Sequence, residues 1–424
     1  KPKLTYKFKL ELSRFQPNRT PDDGWDFDGE DVLYTLAEII ERNPDKNYLW
    51  LNERKYHIVT DLKEVEKVCQ KIWRHDGIVA FDTETTGLDF NVSLRNGDGD
   101  RLVGMVFAIN PGEAWYFPVA HKKIDNICDN SNEQFVIEKY FKPILEKKPL
   151  VCHNGSFDWK VMYGGYGIFI NLVHDTYILF KVTLWNDHRY MELGLKPLTK
   201  QFLGRDSFEL SDFVNGKFGQ NNIKFWDFDY ESTKYYACPD TDNDLELLEY
   251  AMKADLLGTY GAKKIYEIEV AFSIVIAYQE YYGHCVDMSR VSTLVDEIET
   301  TLKTEYAEMV KLVGHDFNPN SSVQLSKILI NDMKYPVMET TDTGNPSTGK
   351  VSRSKWMSVK NPDGTDKYPM ARHLDKYAED STLKSNFTSN LPKLATEDGL
   401  CFSTVNQFLE TGRVSVNNPN YQSY

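Results

Sequence analysis

The sequence lacks the features that mark secreted, membrane and metal-ribbon proteins. Its six cysteines form no C-x-x-C pair, so we expect reduced thiols rather than a disulfide framework. No apolar run approaches the roughly 18 residues of a membrane span, and no signal-peptide pattern opens the chain. These absences predict a cytoplasmic protein with no membrane partner. The first residue is lysine rather than methionine, and we therefore expect the natural N-terminus to lie upstream.

An excess of basic residues is also lacking. Lysine and arginine number 49 against 63 aspartates and glutamates, which gives a net charge of −14. Charge alone therefore does not indicate nucleic-acid binding, yet a carboxylate metal site concentrates acid and a local basic face still binds phosphate. The 424 residues, 41% hydrophobic and 13% aromatic, are enough for two or three globular domains.

One apolar stretch ends in two acids. Residues 78–81 are apolar and include β-branched types, which predicts a strand buried on both faces. Asp82 and Glu84 follow with one residue between them, so both point to the same face of that strand. Two adjacent carboxylates are unfavourable unless a cation neutralises them, and hard divalent cations prefer oxygen ligands. The alternative for this pattern alone is a strand that ends in a solvated acidic turn.

Strand and helix patterns alternate in the first part of the chain. Strand-like runs at 102–109 and 114–119 are joined by a hairpin pattern, and a helical pattern at 133–146 precedes a short buried strand at 150–152. This alternation predicts an α/β domain with a mixed sheet. Longer helical patterns begin near residue 262. We therefore divide the chain into the segments 1–55, 56–260, 261–390 and 391–424, the first without predicted chemistry.

Two further acidic positions have ordinary explanations when each is taken alone. Asp158 follows a strand-to-helix turn and is typical of a helix N-terminus, while Asn154 is typical of the turn itself. Tyr236 and Asp240 are four residues apart and share one face of a helix, within an acidic run that a solvated helix start would also explain. Pro239 removes a helical hydrogen bond, so we expect the helix to kink or begin anew there.

Taken together and in this order, these positions resemble the three motifs of the DEDD family of 3′→5′ exonucleases, D-x-E, N-x-x-F-D and Y-x-x-x-D. The residue five before the last aspartate is Tyr235, where the other branch of the family has histidine. The chain therefore resembles the tyrosine branch, which is attached to replicative and repair polymerases. The resemblance extends to F-D-T-E-T-T-G-L-D at 81–89 and H-D-T at 174–176.

A second resemblance concerns the end of the chain. Residues 408–422 are similar to T-G-R-L-S-S-x-x-P-N-L-Q-N, and residues 317–325 match N-x-N-S-x-x-Q-L. Both are motifs of the family A DNA polymerases, the second in the thumb. The two resemblances cover roughly residues 55–424 and imply a ribonuclease H-like exonuclease domain, a mainly helical thumb and the start of a polymerase palm. Pro239 departs from the acidic residue usual at its position, which bears on the pose of Asp240.

The resemblance implies phosphodiester hydrolysis with two divalent metal ions, Mg²⁺ or Mn²⁺. Asp82 would bridge the two ions, and Glu84 and Asp240 would bind the ion that carries the attacking water. Asp158 would hold the second ion, through water. Tyr236 would orient the attacking water through its hydroxyl, because a phenol with a pKa near 10 is a poor base at neutral pH.

The family resemblance also implies contacts with DNA, as a single-stranded 3′ end and as a primer–template duplex. Leu88 matches an apolar side chain that wedges against the terminal base, with ordinary packing as the alternative. Asn154 belongs to the second motif, and Arg413 matches an arginine that contacts the primer terminus. The helices from 262 to 390 would grip duplex through its phosphates.

The family's palm carboxylates lie beyond the T-G-R motif, and this sequence stops at Tyr424 before them. We therefore expect the rest of the palm and the fingers to be supplied in cis or by a second chain. A processivity factor, and a viral, bacterial or organellar source, are left open. A non-catalytic module that binds DNA or a partner, and an enzyme that trims RNA, are the alternatives. The complete set of four carboxylates and the tyrosine favours activity, and the thumb and T-G-R motifs favour DNA.

Overall fold

The computed structural model describes residues 34–91, 99–184, 192–213, 224–385, 391–409 and 411–423. Most of the predicted N-terminal segment, residues 1–33, therefore lies outside the described part. No helix within the described residues is long and apolar enough to cross a membrane.

Helices make up most of the described chain. The α-helices are α1 Leu36–Arg42, α2 Leu62–Arg74, α3 Glu133–Val136, α4 Lys142–Lys147, α5 Ser156–Tyr166, α6 Thr176–Leu184, α7 Leu195–Leu198, α8 Tyr230–Lys253, α9 Tyr260–Tyr282, α10 Met288–Val313, α11 Ser322–Ser326, α12 Lys350–Met357, α13 Met370–Leu383 and α14 Leu391–Leu394. Wider π-turns at Ile137–Phe141, Thr199–Leu203 and Lys327–Asp332 adjoin α4, α7 and α11. Short 3₁₀ turns lie at Leu49–Glu53, Leu210–Phe213, Phe225–Asp227 and Tyr421–Ser423.

The first six strands form one mixed sheet. They are β1 Lys55–Ile58, β2 Val79–Thr85, β3 Leu102–Asn110, β4 Glu113–Pro118, β5 Leu150–Cys152 and β6 Leu172–Asp175, and short later strands are β7 His284–Cys285, β8 Leu400–Cys401, β9 Thr404–Asn406 and β10 Ser415–Asn417. The order across the sheet is β1-β4-β3-β2-β5-β6. β3 runs antiparallel to both β2 and β4, and the pairs β1–β4, β2–β5 and β5–β6 are parallel. The predicted mixed α/β sheet and its hairpin are confirmed.

Two hydrophobic cores lie on the two faces of the sheet, and alternate side chains of β2 point into one or the other. Val79 and Phe81 are buried on the face that α2 covers, in a core with Val65 and Ile72. Ala80 is buried on the opposite face, in the core that includes residues of α8. Because every second residue of a strand shares a face, the residues at 82 and 84 are directed towards α8. The alternation thus places both predicted acids on the side of the helix that carries Tyr236.

α8 is one continuous helix of 24 residues with Pro239 inside it. The expectation that the helix begins anew at this proline is therefore wrong. Asp229 caps the N-terminus, where its side chain accepts a hydrogen bond from the Ser232 amide (2.8 Å). Packing of one face of α8 against β2, β3 and β4 holds the helix through the position at which the proline has no amide to donate.

The described chain divides into two compact units. The first runs to Tyr282 and includes the segment 405–414, and the second comprises residues 283–404 and the end of the chain. The predicted boundary at 260/261 falls at the start of α9, which packs on α5 and α6 of the first unit. An ion pair between Lys160 and Glu280 (2.6 Å) ties α9 to α5. The compact unit thus extends past the predicted boundary.

The second unit is mainly helical. Its longest helices, α10 and α13, pack against each other, and α12 packs on α13. Met309, Leu329, Trp356 and Leu374 are fully buried or nearly so and form the centre of its core. The long helical patterns predicted beyond residue 262 are therefore present.

Candidate active site

Three acids meet between the sheet and α8. Asp82 and Glu84 come from β2 and Asp240 from α8, and each offers one carboxylate oxygen within 4.8 Å of the other two. All three side chains keep part of their surface accessible. Oxygens at this spacing fit the ligand set of a hard divalent cation such as Mg²⁺. The structure therefore brings together three of the acids that the sequence resemblance assigned to metal binding.

Asp158 lies in the first turn of α5 and is held by the strand rather than grouped with the other three acids. Its Oδ1 accepts hydrogen bonds from the Thr83 amide (2.9 Å) and the Thr83 hydroxyl (2.7 Å). The parallel pairing of β5 with β2 extends only to Ala80 and Val151, so the Thr83 amide lies beyond the paired part of that edge. Asp158 supplies the partner that this amide would otherwise lack.

Burial and mutual repulsion destabilise the ionised form of the cluster. Burial raises the pKa of Asp82 well above its ordinary value, and the charges of Asp158 and Glu84 raise it further. Burial also raises the pKa values of Glu84 and Asp240, whereas the Lys196 ammonium lowers both. Several carboxylates at this distance are unfavourable as anions unless a cation balances them.

The residues present fit a divalent metal ion. Within the described residues, Asp240 Oδ1 is buried and has no hydrogen-bond partner. A buried carboxylate oxygen without a partner is costly, and a metal ion directly satisfies it. Such an ion would be held by Asp82, Glu84 and Asp240. Asp158 is close enough for its charge to act on Asp82 and could contribute to a second ion site.

Tyr236 lies one helical turn before Asp240. Its ring packs against Phe213, Phe225 and Phe228, with ring centres 5.1 to 6.0 Å apart. Burial, followed by the charges of Glu84 and Asp240, raises the pKa of its phenol far above the ordinary value. The hydroxyl therefore stays protonated at neutral pH and serves as a hydrogen-bond donor, not as a base.

The acidic run 240–244 contains three aspartates with different surroundings. Asp240 faces the cluster, whereas buried Asp242 accepts hydrogen bonds from the Tyr56 hydroxyl (2.6 Å) and the Gly112 amide (2.6 Å). Asp244 is buried and accepts from the Thr176 hydroxyl. A solvated acidic helix start, the alternative explanation for this run, therefore does not describe it.

The three predicted DNA-contact residues lie at different places. Leu88 follows β2 and is 78% exposed, which is unusual for a leucine at the end of a buried strand. Asn154 has a left-handed backbone (φ +64°) and its amide donates to Asp175 Oδ1 (3.2 Å), as a turn residue does. Arg413 is exposed in the segment 405–414. The acid cluster includes none of the three.

Sequence reasoning missed three residues that shape this site. Lys196 has its ammonium nitrogen 4.7 Å from the centre of the Tyr236 ring. Thr83 holds Asp158, as described above. Asp100 holds the loop after β2, since its carboxylate accepts from the Thr86 hydroxyl (2.8 Å) and the Asp89 amide (2.9 Å). Only the position of Thr83, between the two motif acids, offered a signal in the sequence.

Comparison with known families agrees with the two resemblances. The family model described as 3′-5′ exonuclease matches residues 56–253, and the model for DNA polymerase family A matches residues 288–424. The chain is thus similar to DNA polymerase family A over residues 288–424 and to a 3′-5′ exonuclease over residues 56–253. Its first matched part is a 3′-5′ exonuclease domain, and it contains part of the polymerase domain.

The curated proteins that resemble this chain include DNA polymerases. The chain is 26% identical to DNA polymerase I of Pseudomonas aeruginosa over 382 residues, which cover 88% of the chain and 39% of that protein. It is 25% identical to DNA polymerase DpoZ of Vibrio phage phiVC8 over 291 residues, 63% of the chain and 43% of that protein. The chain thus spans about two fifths of the length of these relatives.

A solved structure shows the same fold. The POL domain of Pol1 from M. smegmatis, in complex with DNA primer-template and dNTP, superposes with a TM-score of 0.61. The match covers 86% of this chain and 55% of that one, at 16% sequence identity. This agreement supports the polymerase I-like arrangement of a mixed sheet followed by helices.

Proposed function

We propose that the chain removes nucleotides from the 3′ ends of DNA by divalent-metal-dependent hydrolysis, as the proofreading part of a family A DNA polymerase. The observation that carries this proposal is that Asp82, Glu84 and Asp240 converge within 4.8 Å of one another, with the half-buried Tyr236 one helical turn before Asp240. The matched 3′-5′ exonuclease family model supports the same reaction.

Each residue has a part in the proposed chemistry. Bound divalent ions would lower the pKa of the attacking water and neutralise charge on the phosphate and leaving oxygen. Asp82, Glu84 and Asp240 would hold one ion, and Asp158 together with Asp82 would hold a second. Tyr236 would donate a hydrogen bond that fixes the direction of the attacking water.

The strand order supports the finer structural proposal. Three adjacent strands form an antiparallel β4-β3-β2 meander, and two parallel strands, β5 and β6, extend the sheet beyond β2. This order, with the acids on β2, supports assignment to a ribonuclease H-like domain. We propose that assignment for residues 56–260.

The exposed side chain of Leu88 supports a single-stranded DNA end as substrate. A largely exposed leucine four residues after Glu84 gives the terminal base an apolar surface to pack on. We propose that Leu88 and Asn154 contact the 3′ end and that Arg413 and the helices of the second unit contact duplex DNA. The partner molecules are then DNA, the remainder of the polymerase and, through it, any processivity factor.

The direct test uses a 5′-labelled single-stranded DNA oligonucleotide and purified chain. We expect stepwise shortening with release of mononucleotides in Mg²⁺ or Mn²⁺ and none in excess EDTA. Asp82→Ala and Glu84→Ala should abolish shortening and leave the far-UV circular dichroism unchanged. A chain that binds the oligonucleotide but never shortens it would be the non-catalytic module, and preferential shortening of an RNA oligonucleotide would assign RNA trimming instead.

A further inference from the structure

The acid cluster has a cation at its edge that the proposed mechanism has not used. Lys196 lies in α7, and its ammonium nitrogen is 4.7 Å from the centre of the Tyr236 ring, within the range of a cation–π contact. Its charge also acts on Glu84 and Asp240. The side chain is only 18% exposed. An ammonium is thus held beside both the tyrosine and two of the proposed metal ligands.

The present partners of this ammonium are exchangeable. Lys196 Nζ donates to the Phe208 carbonyl (2.5 Å) and forms an ion pair with Glu209 Oε2 (3.1 Å). The Glu209 side chain is 52% exposed, and ion pairs with such exposed carboxylates contribute little stability. A phosphate anion at the acid cluster would therefore compete well for Lys196.

The surroundings of Lys196 leave room for the side chain to turn. It lines a cavity of about 510 Å³ together with Lys200, Ser207 and Glu209. Lys200 lines the same cavity but is paired with Asp206 (2.8 Å), and its side chain is 65% exposed. The two lysines thus share a cavity and differ in their relation to the acid cluster, which makes Lys200 a matched control.

We propose that Lys196 is a catalytic residue that contacts a non-bridging oxygen of the scissile phosphate, and this inference rests on the proposed exonuclease function. In the reaction a water oxygen forms a bond to phosphorus and loses its proton to solvent. The bond from phosphorus to the 3′ oxygen breaks, and that oxygen keeps the electron pair and takes up a proton. Negative charge grows on the non-bridging oxygens in the transition state, where an ammonium is most stabilising.

The contact with Tyr236 gives this role its geometry. The Tyr236 hydroxyl directs the attacking water, so the phosphorus under attack lies on the tyrosine side of the cluster. Lys196 is on the same side, over the ring. Lys196 would then neutralise charge on the phosphate from the tyrosine side of the cluster. A purely structural role would instead consist of anchoring the segment that follows Phe208 through Glu209.

The experiment measures single-turnover shortening of a 5′-labelled DNA oligonucleotide in saturating Mg²⁺. Lys196→Met should lower the rate of the chemical step about 10²-fold, since removal of one charge-stabilising donor typically costs this much. The loss should persist at saturating Mg²⁺ and per folded molecule, so that any change in thermal midpoint or in Mg²⁺ half-saturation from removal of the ammonium beside Glu84 and Asp240 does not account for it. Lys196→Arg should restore most of the rate because it keeps the charge. Lys200→Met should equal the wild type.

Glu209→Gln separates the two roles of the lysine. It removes the ion pair and leaves the ammonium bound to the Phe208 carbonyl, so the catalytic role predicts no loss of rate, whereas a role that consists of anchoring Glu209 predicts the same loss as Lys196→Met. A wild-type rate in Lys196→Met, or an equal loss in Glu209→Gln, would overturn the inference. If Lys196→Met does not fold, Lys196→Gln and Lys196→Arg are compared at equal thermal midpoint, and equal rates would count against the charge. An inactive wild type would instead refute the proposed function itself.

Discussion

Thr83 binds one carboxylate oxygen of Asp158 twice, through its backbone amide (2.9 Å) and its hydroxyl (2.7 Å). The two hydrogen bonds lower the pKa of Asp158 and oppose the larger upward effect of burial. They also fix the carboxylate at the edge of β2, the strand that carries the first two acids. The residue between the motif acids therefore positions a third acid that comes from another element.

Thr83→Val should slow DNA shortening and weaken the second metal site. Valine keeps the volume of threonine but removes the hydroxyl donor, so the Asp158 carboxylate keeps only the amide. A hydrogen bond to a charged group contributes about 1.5–3 kcal/mol, which sets the expected loss of stability. The measurements are the thermal midpoint and the Mn²⁺ dependence of the rate.

The matched control for that change is Thr233→Val in α8. Within the described residues, the Thr233 hydroxyl is buried and has no hydrogen-bond partner. Its removal should leave stability unchanged or raise it, and the rate should stay at the wild-type value. Equal effects of the two substitutions would show that the Thr83 hydroxyl has no special relation to Asp158.

The aspartates 240 and 242 should separate activity from stability. Asp240→Asn removes one charge from a repulsive cluster, so the rate should collapse and the metal-free protein should be as stable as the wild type or more so. Asp242→Asn weakens a buried acceptor of the Tyr56 hydroxyl and the Gly112 amide, so it should lower the thermal midpoint and leave the rate per folded molecule near normal. Rates and thermal midpoints of both variants are compared in EDTA and in Mg²⁺. If Asp242→Asn abolished the rate and Asp240→Asn lowered the thermal midpoint, the site residue would be Asp242 and not Asp240.

Local patterns in the sequence were sufficient for part of this site. The alternation along β2 predicted the shared direction of Asp82 and Glu84, and the spacing of four predicted the shared face of Tyr236 and Asp240. Pairing between distant segments was not predictable, because nothing local relates Lys196 or Asp100 to this site. The effect of Pro239 was misjudged for the same reason. Packing of α8 on the sheet, which a local pattern does not show, keeps the helix continuous.

Tyr236→Phe should slow hydrolysis about 10²-fold or more and leave metal binding near normal, since positioned acid–base groups typically contribute 10²–10⁴-fold. The ring packing against Phe213, Phe225 and Phe228 is kept, so the thermal midpoint should not change. Single-turnover rates and Mg²⁺ titrations measure the two effects separately. Loss of metal binding in this variant would show that the hydroxyl does more than direct water.

The last prediction concerns the pH dependence of stability without metal. Burial raises the pKa values of Asp82, Glu84, Asp158 and Asp240, so above the ordinary carboxyl pKa of about 4 the folded chain binds more protons than the unfolded chain. Stability from this cluster is therefore lost as pH rises from about 4 through the raised pKa values.

A bound divalent ion favours the ionised carboxylates and should reduce or reverse that slope. Thermal midpoints are measured across this pH range in EDTA and in Mg²⁺, for the wild type and for Asp240→Asn. Subtracting the thermal midpoints of the two proteins removes the contribution of all other groups. In EDTA the midpoint of the variant should exceed that of the wild type by a margin that grows as pH rises. A difference that does not change with pH would show that Asp240 titrates alike in the folded and unfolded chains. We also expect Mg²⁺ to raise the thermal midpoint of the wild type most at the high end of the pH range, because fewer protons must be displaced from the carboxylates there.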